Sequence, residues 1–201
     1  DITISQNSFN VLNASSYNSK AEYQAGTMKF TTDTGVVVTQ NNAIGLRLKG
    51  GWGSFRNLDQ KAAFKIKTNF VKGENFFGLK KMTLNNMVQD PSYIHETLTY
   101  RLYRAMGVPT PRTGYANVTL NGRDYGLHLN IETMDKILLA RWGISSSHLY
   151  KGAVPYFPDF YEGSESQFAI ESGSKTDTSD LTAFMKIQAM RGPAWWTEMG
   201  K

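Results

Sequence analysis

The first half of the chain consists of short segments rich in β-branched and aromatic residues, each bounded by turn residues. Segments of this length and composition favour strands, because their side chains suit a pleated, half-buried surface. In one of them the alternation is clear, since Phe64 and Ile66 share one face and Lys65 and Lys67 share the other. The pattern predicts an antiparallel sheet with strands at Thr27–Thr31, Gly35–Gln40, Ile44–Lys49, Ala63–Phe70 and Lys81–Asn85.

A hairpin is indicated in the second half by the pair Asn121-Gly122. This pair suits a type I′ turn, in which both central residues need a positive φ. The flanking segments, Tyr115–Leu120 and Arg123–Ile131, have strand composition. We therefore expect two strands joined by a two-residue turn.

A helix is predicted just before this hairpin. Asp90 and Pro91 have the residue types of an N-cap and a first helical position, and Gly107 and Pro109 mark the stop. Glu96 lies among tyrosines on this helix, so we expect it to be half-buried and to have a cationic partner. One apolar stripe of the helix is formed by Ile94, Leu98 and Leu102.

Two further helices are expected after the hairpin, at about Thr133–Trp142 and Ser179–Met190, where apolar residues recur at helical spacing. Residues 153–180 contain Pro, Gly, Ser and Asp without periodicity, so we expect a long surface loop there.

Charge is unevenly distributed along the chain. Residues 47–81 contain nine lysines and arginines but two acidic residues, within a chain of net charge +5. Such a field attracts an anion, although a solvated strand face explains the same composition. Nucleic-acid binding is disfavoured because no RNP-like or OB-type aromatic pattern accompanies the charge. No apolar run approaches the roughly 20 residues of a membrane helix, so we expect no membrane insertion.

The order of elements suggests a nucleotide site. A glycine-rich loop at Lys49–Ser54 separates two predicted strands, and lysines follow on the second of them. Glycines let backbone N–H groups approach phosphates, and in kinases a lysine on the next strand is held by a glutamate on the following helix. Lys65 or Lys67 would be that lysine and Glu96 the glutamate. The alternatives are solvent-facing strand lysines and a glutamate that bonds to tyrosine hydroxyls.

Several motifs in this order resemble the CotH kinase family, whose members include spore coat protein H. The resemblance covers roughly residues 44–152. The matching stretches are LRLKGGWGSF at 46–55, KAAFKIK at 61–67, FGLKKMTLNN at 77–86, DPSYIHETL at 90–98, MGVPTPR at 106–112, VTLNGRDYGL at 118–127 and LYK at 149–151.

The resemblance implies a protein-kinase-like α+β fold. We expect an antiparallel β-rich N-lobe with one main helix over residues 1–131, followed by the hinge and a partial helical C-lobe over residues 132–201.

The resemblance also implies which residues bind ATP. It gives catalytic roles to Lys65 and Glu96. The cofactor-binding residues it implies are Lys49, Gly50, Gly51, Trp52, Gly53, Ser54, Lys67 and Glu132. For Trp52 packing is an equal alternative, and Glu132 is alternatively a helix N-terminal acid. No metal ligand is assigned within this chain, because the family's Mg²⁺-binding and catalytic aspartates lie in segments that have no counterpart here.

The implied activity is transfer of the ATP γ-phosphate to Ser or Thr of a secreted, surface or spore-coat-type protein. The expected location is extracellular or at the cell or spore surface. Because the catalytic aspartates are missing, we expect the 201-residue chain alone to be inactive. The alternative is a non-catalytic surface or structural module.

Overall fold

The protein forms two compact units, Asp1–Met134 and Asp135–Lys201. The predicted boundary between residues 131 and 132 stays a prediction. No helix among the described residues is long and apolar enough to cross a membrane. The computed structural model describes residues 1–40, 43–145, 148–152, 159–190 and 192–200.

The first unit is mainly β-sheet. The strands predicted at Ile44–Lys49 and Lys81–Asn85 are confirmed at both ends. The described elements of this unit are β1 (Ile2–Ile4), α1 (Gln6–Asn13), β2 (Gln24–Thr31), β3 (Val37–Thr39), β4 (Ile44–Lys49), β5 (Ala63–Lys67), β6 (Lys81–Asn85), α2 (His95–Ala105), β7 (Thr113–Leu120) and β8 (Arg123–Glu132).

Seven of these strands close on themselves in the order β1-β7-β8-β6-β5-β4-β2, because β1 also pairs with β2. Ile2 pairs in parallel with Leu120 and antiparallel with Met28. β3 lies outside this ring and pairs with the end of β2. The closed ring satisfies edge hydrogen-bonding groups that a kinase-like N-lobe sheet would leave open. The prediction of a protein-kinase-like α+β fold with a partial helical C-lobe is therefore wrong.

The core of the first unit lies inside the closed sheet. Side chains alternate along each strand, so Phe64 and Ile66 are buried inside whereas Lys65 and Lys67 lie on the outer face, half-buried. Burial of this kind is the main favourable contribution to folding. The other strand residues of the same cluster are Ile2, Ile4, Met28, Ile44, Leu46, Leu48, Met82, Leu84, Val118, Leu120 and Tyr125.

The hairpin predicted at Asn121-Gly122 is confirmed. Both residues have a positive φ, 50° and 79°, as a type I′ turn requires. The Oδ1 atom of Asn121 also accepts a hydrogen bond of 2.8 Å from the backbone N–H of Ile4. The turn therefore helps to hold β1, the strand that closes the sheet.

Helix α2 begins four residues later than Pro91, the predicted first helical residue, because the preceding segment forms turns. Its first residue is His95, and Tyr93 just before it has a φ of 61°, which no helix accommodates. Asp90 nevertheless bonds to the start of the helix, since its Oδ2 atom accepts from the backbone N–H of His95 at 2.9 Å. The predicted stop is confirmed, since the helix ends at Ala105 and Gly107 has a φ of 78°.

The second unit combines a two-stranded sheet with short helices. Residues Leu149–Gly152 (β9) and Phe168–Ser172 (β10) pair antiparallel. Part of the predicted 153–180 loop is thus a strand, preceded by a 3-10 turn at Glu165–Gln167, and residues 153–158 lie outside the described residues. The helices of this unit are α3 (Lys136–Arg141), α4 (Ser179–Ala189) and α5 (Pro193–Met199).

A buried histidine makes the first unit sensitive to acid. His128 is fully buried, with Nε2 2.8 Å from the carbonyl oxygen of Ala62 and Nδ1 3.0 Å from that of Gly126. Burial lowers the pKa of His128, and the two carbonyl oxygens oppose this shift only in part. The folded state therefore prefers the neutral imidazole.

In the unfolded chain His128 has its ordinary pKa of about 6.5, and in the folded chain its pKa is lower. We therefore expect neutral His128 to contribute its full stabilisation above pH 6.5, and this stabilisation to be lost as the pH falls through the folded pKa. The free energy of unfolding, measured in urea from pH 8 to pH 5, should thus fall more steeply for the natural chain than for H128Q. His95, whose side chain is 77% exposed, gives the control variant H95Q. An unchanged slope in H128Q would contradict this assignment.

Candidate functional site

A cavity of about 280 Å³ lies in the first unit beside the glycine-rich loop. Its walls come from the loop, from the end of β6 with the residues that follow, and from the first turn of α2. The lining residues that matter for the chemistry are Ser54, Asn85, Asn86, Asp90, His95 and Glu96. A larger cavity of about 510 Å³ lies in the second unit, but the residues described as lining it include none of the predicted site residues.

The glycine-rich loop depends on its glycines for two reasons. Gly50 and Gly53 have φ values of 129° and 78°, which side chains rarely tolerate. A Cβ on Gly50 would also lie 2.7 Å from the backbone Cα of Phe55, whereas one on Gly53 would meet the movable end of the Gln89 side chain. Gly51 differs, because no atom lies within 4 Å of its Cβ position. The loop is thus a tight turn with one open side at Gly51.

Asn86 ties this loop to the sheet. It is fully buried, and its Nδ2 atom donates to the carbonyl oxygens of Ser54 at 3.0 Å and Lys61 at 2.8 Å. The Ser54 hydroxyl accepts in turn from the backbone N–H of Gly51 at 3.0 Å. The Oδ1 atom of Asn86 is buried without a hydrogen-bond partner.

Glu96 and Lys49 are joined through Asn85. The Nδ2 atom of Asn85 donates to Glu96 at 2.6 Å, and the Lys49 ammonium donates to Oδ1 of Asn85 at 3.3 Å. Tyr100 donates to the other oxygen of Glu96 at 3.4 Å; burial and this carboxylate raise the pKa of Tyr100 to about 12. Glu96 is half-buried, as predicted from the tyrosines around it. The structure therefore brings together two of the predicted residues with an asparagine between them.

Lys65 and Lys67 lie farther from the glycine-rich loop than Lys49 does. Lys49 pairs with Ala63 at the loop end of β4 and β5, whereas Lys65 pairs with Arg47. Each residue of a strand advances about 3.3 Å, so Lys65 lies roughly 7 Å farther along the sheet. None of the three lysines belongs to the described lining of the cavity, but Lys49 bonds to the lining residue Asn85. Their predicted role in phosphate binding stays a prediction.

Glu132 and Trp52, the remaining predicted residues, are not among the described lining residues of the cavity, although the Trp52 carbonyl oxygen accepts from Nε2 of the lining residue Gln89 at 3.4 Å. Arg112 donates to the Glu132 carboxylate from its backbone N–H at 3.0 Å and from its guanidinium at 3.2 and 3.3 Å. The Glu132 side chain is 5% exposed. Trp52 is 75% exposed at the tip of the loop. The predicted roles of Glu132 and Trp52 in binding ATP stay predictions.

Asp90 adds a second carboxylate to the cavity. Its oxygens accept from the Ser92 hydroxyl at 2.5 Å and from the backbone N–H groups of Ser92 and His95. The Ser92 hydroxyl is the main group that holds the pKa of Asp90 below its ordinary value. Asp90 was predicted only as a helix cap, and no role was predicted for Asn85 and Asn86. The adjacent asparagines at the end of a strand were the signal available in the sequence.

Fold and site together define a closed, mainly antiparallel sheet with a small polar cavity between a glycine-rich loop and the start of a helix. Residues 46–198 match the family model described as CotH kinase protein, and the chain belongs to this family. It is 26% identical over 110 residues to the inner spore coat protein H of Bacillus subtilis (strain 168), a match covering 55% of this chain and 28% of that protein. It is 27% identical over 92 residues to an inner spore coat protein H-like protein of the same organism, covering 46% of this chain and 29% of that protein. The matched stretch thus spans less than a third of either relative.

Proposed function

We propose that the protein, at its full natural length, transfers the γ-phosphate of ATP to Ser or Thr of a coat or surface protein. The observation that carries the proposal is the Lys49–Asn85–Glu96 chain of hydrogen bonds beside the glycine-rich loop. It joins a cation, an acid and a glycine turn, the groups that position phosphates in phosphoryl transfer. The family description and the names of the spore coat relatives support the same proposal. They also support a location in the spore coat or at the surface.

The residues of the cavity fit part of ATP. Its volume, about 280 Å³, is near the lower end for a ligand pocket, which suits one portion of a nucleotide. Beside the cavity, the Lys49 ammonium, which bonds to the lining residue Asn85, and the open side of the loop at Gly51 would hold phosphate oxygens. When bound, ATP supplies the phosphoryl group; these residues orient it.

Mg²⁺ has no fitting set of ligands in the described residues, which contain no group of three His, Cys, Asp or Glu side chains that could hold a metal ion.

The expected result is that the 201-residue chain binds ATP and that removing a phosphate-binding lysine weakens the binding. Replacing Lys49 or Lys65 with alanine should each lower affinity by about 10- to 150-fold if a charge-assisted hydrogen bond is lost. Calorimetric titration of ATP measures this. Lys72, an exposed lysine outside the strands, gives the control variant K72A.

Two results would contradict the proposal in different ways. Equal ATP affinities of K49A, K65A and K72A would show that neither Lys49 nor Lys65 binds the phosphates. Lack of ATP binding, together with lack of transfer by the full-length protein, would favour a non-catalytic surface module. The apolar outer face of α2 is the observation that favours this second function.

A further inference from the structure

The outer face of β4, β5 and β6 places like charges directly opposite one another. Arg47 of β4 pairs with Lys65 of β5, and Lys67 of β5 pairs with Lys81 of β6. The Cβ atoms of directly opposite residues lie about 5 Å apart, so two cations in such a pair repel each other and oppose folding. An anion bound between the cations would replace this repulsion with attraction.

Arg47 has N–H groups that the chain itself does not use. Its guanidinium lies over the Tyr23 ring, with 4.8 Å between the guanidinium carbon and the ring centre. The side chain is half-buried, and its Nε atom is buried without a hydrogen-bond partner, whereas the two terminal nitrogens are not buried in this way. Among the residues that the structure describes, no carboxylate forms an ion pair with Arg47. Contact with Tyr23 thus accounts for one face of the guanidinium but supplies no acceptor for its edge.

Carboxylates on the neighbouring elements do not neutralise Arg47. Glu96 reaches the outer face from α2 and accepts two hydrogen bonds there from uncharged side chains. Glu132, at the end of β8, is held in an ion pair with another arginine. Glu22, just before β2, is exposed, so water and salt screen its charge. Lys20 adds a further cation, because burial and then the charge of Arg47 lower its pKa.

We propose that Arg47 and Lys65 together bind the phosphate chain of the nucleotide, a role that rests on the proposed function. A guanidinium offers a planar pair of N–H donors that matches two phosphate oxygens, whereas a lysine acts as a single point of charge. Lys49 lies two residues along β4 from Arg47, roughly 7 Å nearer the glycine-rich loop. A chain of phosphates can contact all three cations, whereas a single phosphate reaches one end of the group. The site is therefore selective for a nucleoside triphosphate over a monophosphate.

Calorimetric titration of the chain with ATP, AMP and inorganic triphosphate tests the proposal. R47Q should lower the affinity for ATP and for inorganic triphosphate by about 10- to 150-fold, as expected when a charge-assisted hydrogen bond is lost. The affinity for AMP should fall much less, so the preference for ATP over AMP should shrink. R47K keeps the charge but not the planar donors, and should fall between R47Q and the natural chain. Arg101 is exposed on α2, and the control variant R101Q should bind all three compounds normally.

Other outcomes would overturn the proposal and separate it from the proposed function. If R47Q binds ATP as tightly as the natural chain while K49A and K65A bind it more weakly, Arg47 is not a phosphate ligand and the ATP site still stands. Equal losses of ATP and AMP affinity in R47Q would show that Arg47 supports the fold rather than the phosphates. Binding of inorganic triphosphate without binding of ATP would assign the cations to a free polyphosphate instead of a nucleotide. If the natural chain binds none of the three compounds, the proposed ATP site falls together with this inference.

Discussion

Replacing Asn86 with aspartate is expected to destabilise the first unit by about 2–5 kcal/mol, because two buried carbonyl groups lose their donor. Asn86 is fully buried and donates from one nitrogen to Ser54 and Lys61. An aspartate has no donor when ionised, so its oxygens would face two carbonyl oxygens in a buried space. The loop that these bonds hold should also lose its tight conformation, and any affinity for ATP should fall with it.

The free energy of unfolding in urea measures this effect, and its pH dependence identifies the cause. Burial raises the pKa of a carboxyl group, so the defect of N86D should be largest at neutral pH and should shrink as the pH falls and the group becomes protonated. Asn75 is exposed, and its Oδ1 atom accepts from Gly78, a bond that aspartate retains. The control N75D should therefore change stability by less than about 0.5 kcal/mol. A similar loss of stability in N86D and N75D would show that the Asn86 hydrogen bonds do not hold the loop to the sheet.

Local signals predicted individual strands of the fold, but not its closure. The Asn121-Gly122 turn and the alternation along β5 depend on neighbouring residues and are confirmed. Closure depends on β1, which has three residues and no recognisable turn signals. Ile2 meets Met28 and Leu120 across long stretches of chain, and such pairings have no local pattern. The kinase-like sheet was expected from the family resemblance, and no local pattern spoke against it.

Helix α2 shows how a strong local signal can be misread. Asp90 and Pro91 have the composition of a helix start. Asp90 nevertheless accepts its hydrogen bond from the backbone N–H of His95, farther along the chain than in an ordinary N-cap. Tyr93, at a φ of 61°, accepts a hydrogen bond at its carbonyl from the Tyr115 hydroxyl, at 2.7 Å. This tertiary contact accompanies a turn where the sequence predicts helix.

The candidate site was predictable in its components but not in its connections. The glycine-rich loop, the strand that carries Lys65 and Lys67, and the helix that carries Glu96 follow one another in the expected order. Which lysine lies near Glu96 depends on the strand register, and the register places Lys49 in the row next to the loop. Asn85 then bridges Lys49 and Glu96. Sequence spacing alone does not specify a bridge between residues on two strands and a helix.

The second large effect is expected at Phe64, the fully buried aromatic residue of β5. Its ring packs edge-on against Tyr125 at 5.5 Å between ring centres, and lies 5.9 Å from the ring of His128. Removing a buried phenylalanine side chain costs about 3–5 kcal/mol, because the cavity left behind refills only in part. Phe77, which is 72% exposed, should lose less than about 1 kcal/mol as F77A.

Comparison of F64A with F64L separates cavity formation from the loss of aromatic contacts. Leucine restores most of the volume, so F64L should fall between the natural chain and F64A in free energy of unfolding. Phe64 lies next to Lys65 on β5, with its side chain inside the closed sheet and the lysine outside. Loss of the ring should therefore loosen the strand from within without removing any outer charge. If F64A costs no more than F77A, the closed sheet is not packed around Phe64 as the structure has it.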